Sequence, residues 1–318
     1  MAKKIAYRVR NWKDYNRSLI NRGNLTIWFS EDAIKSWYQK PKKNKKRGRS
    51  FIYSDAYIEL ALTIRTLFHL PLRATQGFLE GLVFMLGLNL QVSHYSRLSR
   101  RAGDLDIQLN TLKNAGKNPT DLVIDSTGLK IFGEGEWKMR THGKQKKRTW
   151  RKYHVSVNPV THEVTAIELT EANVHDCTVM PMLLSTQKNL GKVYADGAYS
   201  FKEGFDAIAQ SSGTPSIPIR SGMTIVRKEP SAGQELRNKL LQEIWDAGGR
   251  IAWKKVSDHH RRSLVETHMF RLKTILGGTL RGRSFANQQT EAKIMANILN
   301  KMTHLGMPKS EKIYLDLN

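Results

Sequence analysis

Between residues 51 and about 105, apolar positions recur at helical spacing and mark three helices. A Ser54 or Asp55 cap precedes Tyr57, Ala61, Ile64 and Phe68. A second helix begins near Pro71, carries Phe78, Leu79, Leu82, Val83 and Leu86, and ends toward Gly87. The third opens at Ser93 and is short and basic, with Arg97, Arg100 and Arg101 on SHYSRLSRR. Such a trio fits a helix-turn-helix whose last helix enters a DNA groove, and equally a small bundle that only connects two domains. From about residue 119 the pattern shifts to strands and helices. Leu122 to Asp125, His154 to Val157, Val164 to Leu169 and Val193 to Asp196 read as strands, the middle two joined by a turn at Asn158 and Pro159. Helical periodicity follows from Phe201 to Ala209 and, more strongly, over 263 to 276. A strand, a hairpin, a further strand and then helices predict a mixed α/β plan.

Composition sharpens this picture. The 318 residues allow two ordinary domains, and 40% hydrophobic with 25% charged residues is ordinary globular usage. The formal net charge is +24, so the expected partner is a polyanion. A membrane-spanning segment is not expected, because the longest apolar stretch, around Leu82 to Leu90, is broken by Gly87 and Asn89. The basic N-terminus has no continuous apolar segment of a secretory signal, so a cytoplasmic location is expected. Cys177, the only cysteine, excludes an intrachain disulfide and a multi-cysteine zinc site.

The charge is uneven. Residues 1–50 hold 15 Lys+Arg against 3 Asp+Glu, densest over Lys42, Lys43, Lys45, Lys46, Arg47 and Arg49, and read as a basic arm suited to phosphates or as a solvated tail. The expected organisation is this arm at 1–50, a helical DNA-binding domain at 51–117 and a catalytic domain at 118–318 with an insertion at about 213–257. That insertion contains Trp245 and Trp253, of which at least one is expected in the core.

Two predicted strands end in an aspartate: Asp125 in DLVIDSTGLK and Asp196 in GKVYADGAYS. A carboxylate at a strand end beside a glycine is a common position for a metal ligand, although Asp-Gly alone usually means a turn. On the helix HHRRSLVETHMFRLKTILGG, His259, Arg262, Glu266 and Lys273 share one face within about 60° of arc. Val265, Met269, Leu272 and Leu276 form an apolar stripe beside it. The polar face is either an exposed ion-paired surface or the rim of a site. Three carboxylates in a basic chain suit hard divalent cations and phosphoryl transfer, with surrounding cations holding phosphates.

These blocks resemble the bacterial insertion-sequence DDE transposases, close to the insertion-sequence-five family. Its helix signature, Tyr-x2-Arg-x3-Glu-x6-Lys, is matched in register by Arg262, Glu266 and Lys273, with His259 in the tyrosine position. RTWRKYHVSV, EANVHDCTVMPMLL and RGRSFANQQTEAKIMANILNKM extend the resemblance over roughly 50 to 305. It implies an RNase H-like fold and a triad of Asp125, Asp196 and Glu266, spaced 71 and 70 positions apart. The triad would bind two Mg²⁺ ions, with Mn²⁺ as a substitute. Arg262, Lys273 and His259 would hold phosphates. Arg97, Arg100, Arg101, Lys147, Arg148 and Arg151 complete the expected DNA contacts, while His175 and Asp176 would shape the site from behind. The implied reaction is metal-dependent cleavage at terminal inverted repeats followed by joining of the released 3′ hydroxyl to target DNA, carried out by a dimer that holds two ends together. A related nuclease without strand transfer and a non-catalytic DNA-binding repressor are the alternatives.

Overall fold

The computed structural model describes residues 3–29, 31–39, 52–112, 119–133, 150–187 and 189–316. The chain starts with strand β1 (Lys3–Val9) and helices α1 (Trp12–Arg22), α2 (Leu25–Trp28) and α3 (Glu31–Lys35). Part of the expected arm is therefore folded. Trp28 and Trp37 are buried, and their indole N–H groups donate to the Arg22 and Gln91 carbonyls at 2.8 Å each. Aromatic anchoring overrides the local charge here, since burying two indoles contributes more than dispersed surface cations oppose. The run from Lys42 to Arg49 lies outside the described residues.

Helix α4 (Asp55–Leu67) is capped by Ser54, whose hydroxyl accepts the Tyr57 amide at 3.0 Å. Helix α5 (Leu72–Met85) follows Pro71, and α6 (Tyr95–Ala102) completes the three helices expected. The third is capped by His94 instead of opening at Ser93. Ser93 is buried, with its amide donating to the Tyr57 hydroxyl at 2.8 Å, so it serves as a tether between helices.

Strand β2 (Thr120–Ile131) is the centre of the sheet, and it runs six residues past Asp125. The expected strand end at Asp125 is thus corrected: antiparallel pairing with β3 (Trp150–Val157) continues from Asp125↔Val155 to Lys130↔Trp150. Gly128 makes this close hairpin possible, because a Cβ there would come within 3.1 Å of the Trp150 ring. Outward from β3 lies β4 (Val164–Glu171). After helix α7 (Asp176–Leu184), strand β5 (Leu190–Tyr194) pairs parallel with β2, but only as far as Val123↔Tyr194.

Helix α8 (Lys202–Gln210) and strand β6 (Thr214–Ser216), parallel to β5, follow. Helices α9 (Ala232–Asp246) and α10 (Arg250–Val256) lie within the expected insertion. Trp253 is buried there and Trp245 is half exposed, so one tryptophan is in the core as expected. Helix α11 (Leu264–Leu276) leads to β7 (Thr279–Leu280), which joins β2 in parallel at Lys130 and Ile131. The long α12 (Phe285–Leu305) and strand β8 (Ser310–Asp316), antiparallel to β1, close the chain.

Alternation along β2 sorts the layers. Val123 and Leu129 belong to an apolar cluster with Val265 and Leu272 of α11, the α12 residues Met295 and Leu299, and the helices α4 to α6. Leu122 and Ile124 point to the opposite face and a second cluster with α7 to α10. A mixed sheet covered by helices on both faces is compatible with the RNase H-like plan. Among the described residues, no helix is long and apolar enough to cross a membrane.

Candidate active site

Asp125 and Thr127 share the β2 face that meets α11, by the same alternation that places Val123 and Leu129 there. They also lie in a break along one edge of the strand, where β5 has stopped pairing at Val123 and β7 has not begun until Lys130. Crevices of this kind, beyond the carboxyl ends of parallel strands, are where α/β sheets place ligands.

Arg262 fills that break. It sits in a 3-10 turn (His259–Ser263) leading into α11, and its Nη1 donates to Asp125 Oδ2 at 3.0 Å. Its Nη2 donates to Glu266 Oε1, one helical turn on, at 2.5 Å. The helix-surface ion pair is therefore real, but the same guanidinium also reaches into the sheet. Lys273, two turns along α11, donates to Thr127 Oγ1 at 2.6 Å. Helix α11 and the turn before it are fastened to β2 at two points, each using a cation.

Asp125 accepts the Ser126 amide on its other oxygen at 2.8 Å. Burial pushes its carboxyl above the usual range, and the negative charges of Asp196 and Glu266 push the same way, against the Ser126 amide and Arg262. Asp196, just past β5, caps the Gly197–Tyr199 turn by accepting the Ala198 amide at 2.8 Å. Asp196 and Glu266 thus both lie within electrostatic reach of Asp125. Tyr199 is fully buried beside them, and burial together with Asp176, Asp125 and Asp196 raises its hydroxyl pKa, keeping it protonated.

His259 departs from the expected face. The 3-10 turn does not follow the α-helical period, and His259 is buried against Trp253, with Nδ1 at 3.1 Å from the Ser216 carbonyl. Behind the triad strand, Asp176 accepts from Ser126 Oγ at 3.0 Å and pairs with Lys152 at 2.9 Å. Asp176 is thus linked to β2 and β3 next to Asp125, and His175 is the residue preceding α7. In the sequence Lys152 is the last residue of a basic block that reads as a DNA-contacting or solvated loop; it instead lies within β3 and pairs with Asp176.

The expected DNA contacts are dispersed. Arg97 lies over the Tyr53 ring at 5.7 Å. Arg101 is buried, bonded to the Tyr53 carbonyl and paired with Asp55. Arg151 donates to Gln288 at 2.9 Å and covers Phe285. Arg100 stays exposed on α6 and reaches back to Ser96. Lys147 and Arg148 lie outside the described residues.

A family description, Transposase DDE domain, matches residues 116–301, and a second with the same description matches residues 20–134. The chain belongs to the DDE transposase family. The larger match spans β2 through most of α12, so it covers all three carboxylates and the turn that carries Arg262. The smaller one begins within α1, in keeping with the folded state of residues that the charge pattern had assigned to an arm. As a DDE transposase, the protein is an enzyme that acts on DNA, and divalent cations are typical of the family.

The donor set fits such cations in kind. All three side chains offer hard carboxylate oxygens, and burial, with the charges of Asp196 and Glu266 added, raises the pKa of Asp125, which a bound cation would offset. In the present geometry, no group of three His, Cys, Asp or Glu side chains among the described residues is close enough to hold an ion. Arg262 instead occupies the position between Asp125 and Glu266.

Proposed function

We propose that the protein binds the terminal inverted repeats of its insertion sequence and catalyses metal-dependent strand cleavage and strand transfer, as a transposase of the insertion-sequence-five type. The observation that carries this reading is the double salt bridge of Arg262 to Asp125 and Glu266, with Asp196 close enough to raise the Asp125 pKa. Two of the three carboxylates meet on one guanidinium and the third acts electrostatically on Asp125, which supports a shared centre built from a strand, a loop and a helix.

Asp125, Asp196 and Glu266 are the groups that would hold two Mg²⁺ ions, with Mn²⁺ as a substitute. Bound there, the ions supply activation of the attacking water or 3′ hydroxyl and stabilisation of the leaving oxygen. Arg262, released from the carboxylates, is one helical turn from Glu266 and turns to a phosphate oxygen. Lys273 holds a second phosphate from its position over Thr127. Asp176 and Lys152 keep the catalytic strand in place through Ser126. The partner is duplex DNA, both the element's ends and the target, and the working form is a dimer that holds two ends.

The experiment is an in vitro reaction with Mg²⁺ on DNA carrying the repeats that flank the gene, following cleavage and joining separately. End cleavage followed by joining of the 3′ end to a second duplex is expected. Cleavage without joining would make the protein a nuclease, and tight binding without any cut would make it a DNA-binding regulator.

A further inference from the structure

We propose that the cavity between α4, α5, α6 and the turn after β7 is a cleft for DNA backbone phosphates, an extension of the transposase reading. The cavity measures about 500 Å³ and is lined by Arg65, Arg73, Arg100, Arg281 and Arg283, with Glu291 as its acidic member. Glu291 is buried and its oxygens are occupied, accepting the Arg281 amide at 2.9 and 3.0 Å and the Gly282 amide at 2.7 Å. It therefore shapes the turn, and its single charge offsets only part of the five guanidinium charges.

None of the five arginines makes an ion pair among the described residues. Arg73 donates to the Tyr95 hydroxyl at 3.3 Å and lies over its ring at 5.0 Å. Arg100 bonds to Ser96, and Arg281 to the His69 carbonyl. Arg283 is exposed and has no hydrogen-bond partner among the described residues. These contacts orient the guanidinium groups without neutralising them. Arg65, deeper in, has its pKa lowered by burial and by Arg281, against the pull of Glu291. Like charges gathered in so small a space repel one another until a polyanion enters. The planar guanidinium fork matches phosphate oxygens in geometry as well as charge.

The cleft also lies in the right direction. Thr279 and Leu280 pair with Lys130 and Ile131, so the turn bearing Arg281 and Arg283 starts where the strand of Asp125 ends. A duplex that spans both the carboxylates and this turn would contact these arginines. Of the three arginines of α6, only Arg100 faces the cleft; Arg97 covers Tyr53 and Arg101 is bound to α4 and the residue before its cap. The helical region thus grips DNA through its backbone, and the grip is independent of sequence.

The test uses the full chain with Arg73→Gln/Arg283→Gln, and Lys202→Gln/Lys239→Gln as an equal-charge control on exposed positions of α8 and α9. Binding to an end-sequence duplex and to an unrelated duplex of the same length is followed from 50 to 200 mM salt. Each lost phosphate contact removes about 0.9 from the slope of log affinity against log salt. The arginine pair should flatten the slope by about 2 on both duplexes and weaken binding about tenfold or more, while the lysine pair should follow wild type. Equal behaviour of the two pairs, or a loss confined to the end sequence, would overturn the cleft. If the double substitution lowers the Tm, Arg283→Gln alone decides, with an expected slope change of about 1. A wild type that binds with these slopes but never cuts would remove the transposase reading and keep the cleft. A wild type that cuts, with an arginine pair no different from the control, would do the reverse. Failure of wild type to bind any duplex would remove both.

Discussion

Arg262 reaches Asp125 across 137 positions of sequence and holds its Oδ2 at 3.0 Å, while the same guanidinium holds Glu266 at 2.5 Å. A fixed cation between two carboxylates occupies the position a divalent ion would need. Arg262→Gln should therefore lower the Tm of the metal-free protein, because Asp125 loses the one cation offsetting its neighbours. Added Mg²⁺ should raise the Tm more in the variant than in wild type, through tighter binding of the ion to the folded state alone. A smaller Mg²⁺ response in the variant, measured by differential scanning fluorimetry, would show that Arg262 supports the ion instead of excluding it.

Asp125 gives a prediction of opposite sign. Its folded pKa is raised, chiefly by burial, so its contribution to stability is greatest at low pH and is lost as pH rises through that pKa. Asp125→Asn, a neutral isostere, should be more stable than wild type at pH 7.5 without metal. The difference should shrink as pH falls into the ordinary carboxylate range. Urea unfolding at several pH values measures it, and a less stable variant at pH 7.5 would mean that the bond to Arg262 outweighs burial.

Much of this site could be read from the sequence, because apolar runs before Asp125 and Asp196 and helical spacing around Glu266 are local signals. The second contact of Arg262 could not be read, since no local pattern states which strand a helix will face. His259 was misplaced because the α-helical period was carried back into a 3-10 turn. Asp125 read as a strand end because Ser126, Thr127 and Gly128 look like turn residues, whereas pairing with β3 carries the strand through them. The N-terminal residues read as a solvated arm because charge dominated the composition, and two buried tryptophans outweighed it.

His154, with His268, shapes the acid limb of stability. It is fully buried with its pKa lowered to about 4, so the stability it contributes is present above the ordinary histidine pKa and is lost as pH falls from about 6.5 toward 4. Each such histidine adds a slope of about 1.4 kcal/mol per pH unit in that window. His154→Phe should flatten the curve of unfolding free energy against pH by up to that amount. An unchanged slope would mean that His154 titrates normally.

The two tryptophans of the inserted segment should separate cleanly. Trp253 is 3% exposed, and Trp253→Ala should cost about 3–5 kcal/mol in unfolding free energy. Trp245 is 49% exposed, and Trp245→Ala should stay within about 0.5 kcal/mol. Equal losses would contradict the packing of α9 and α10 described above.

The central claim is that Asp125, Asp196 and Glu266 work as one metal-dependent centre, and Asp196 is its most exacting member because Arg262 does not hold it. The decisive measurement is the single-turnover rate of end cleavage by Asp196→Asn with Mg²⁺, at protein concentrations that saturate the DNA. A drop of about a thousandfold or more with DNA binding retained is the predicted result, corresponding to roughly 4 kcal/mol of lost transition-state stabilisation. Cleavage at the wild-type rate would contradict the account.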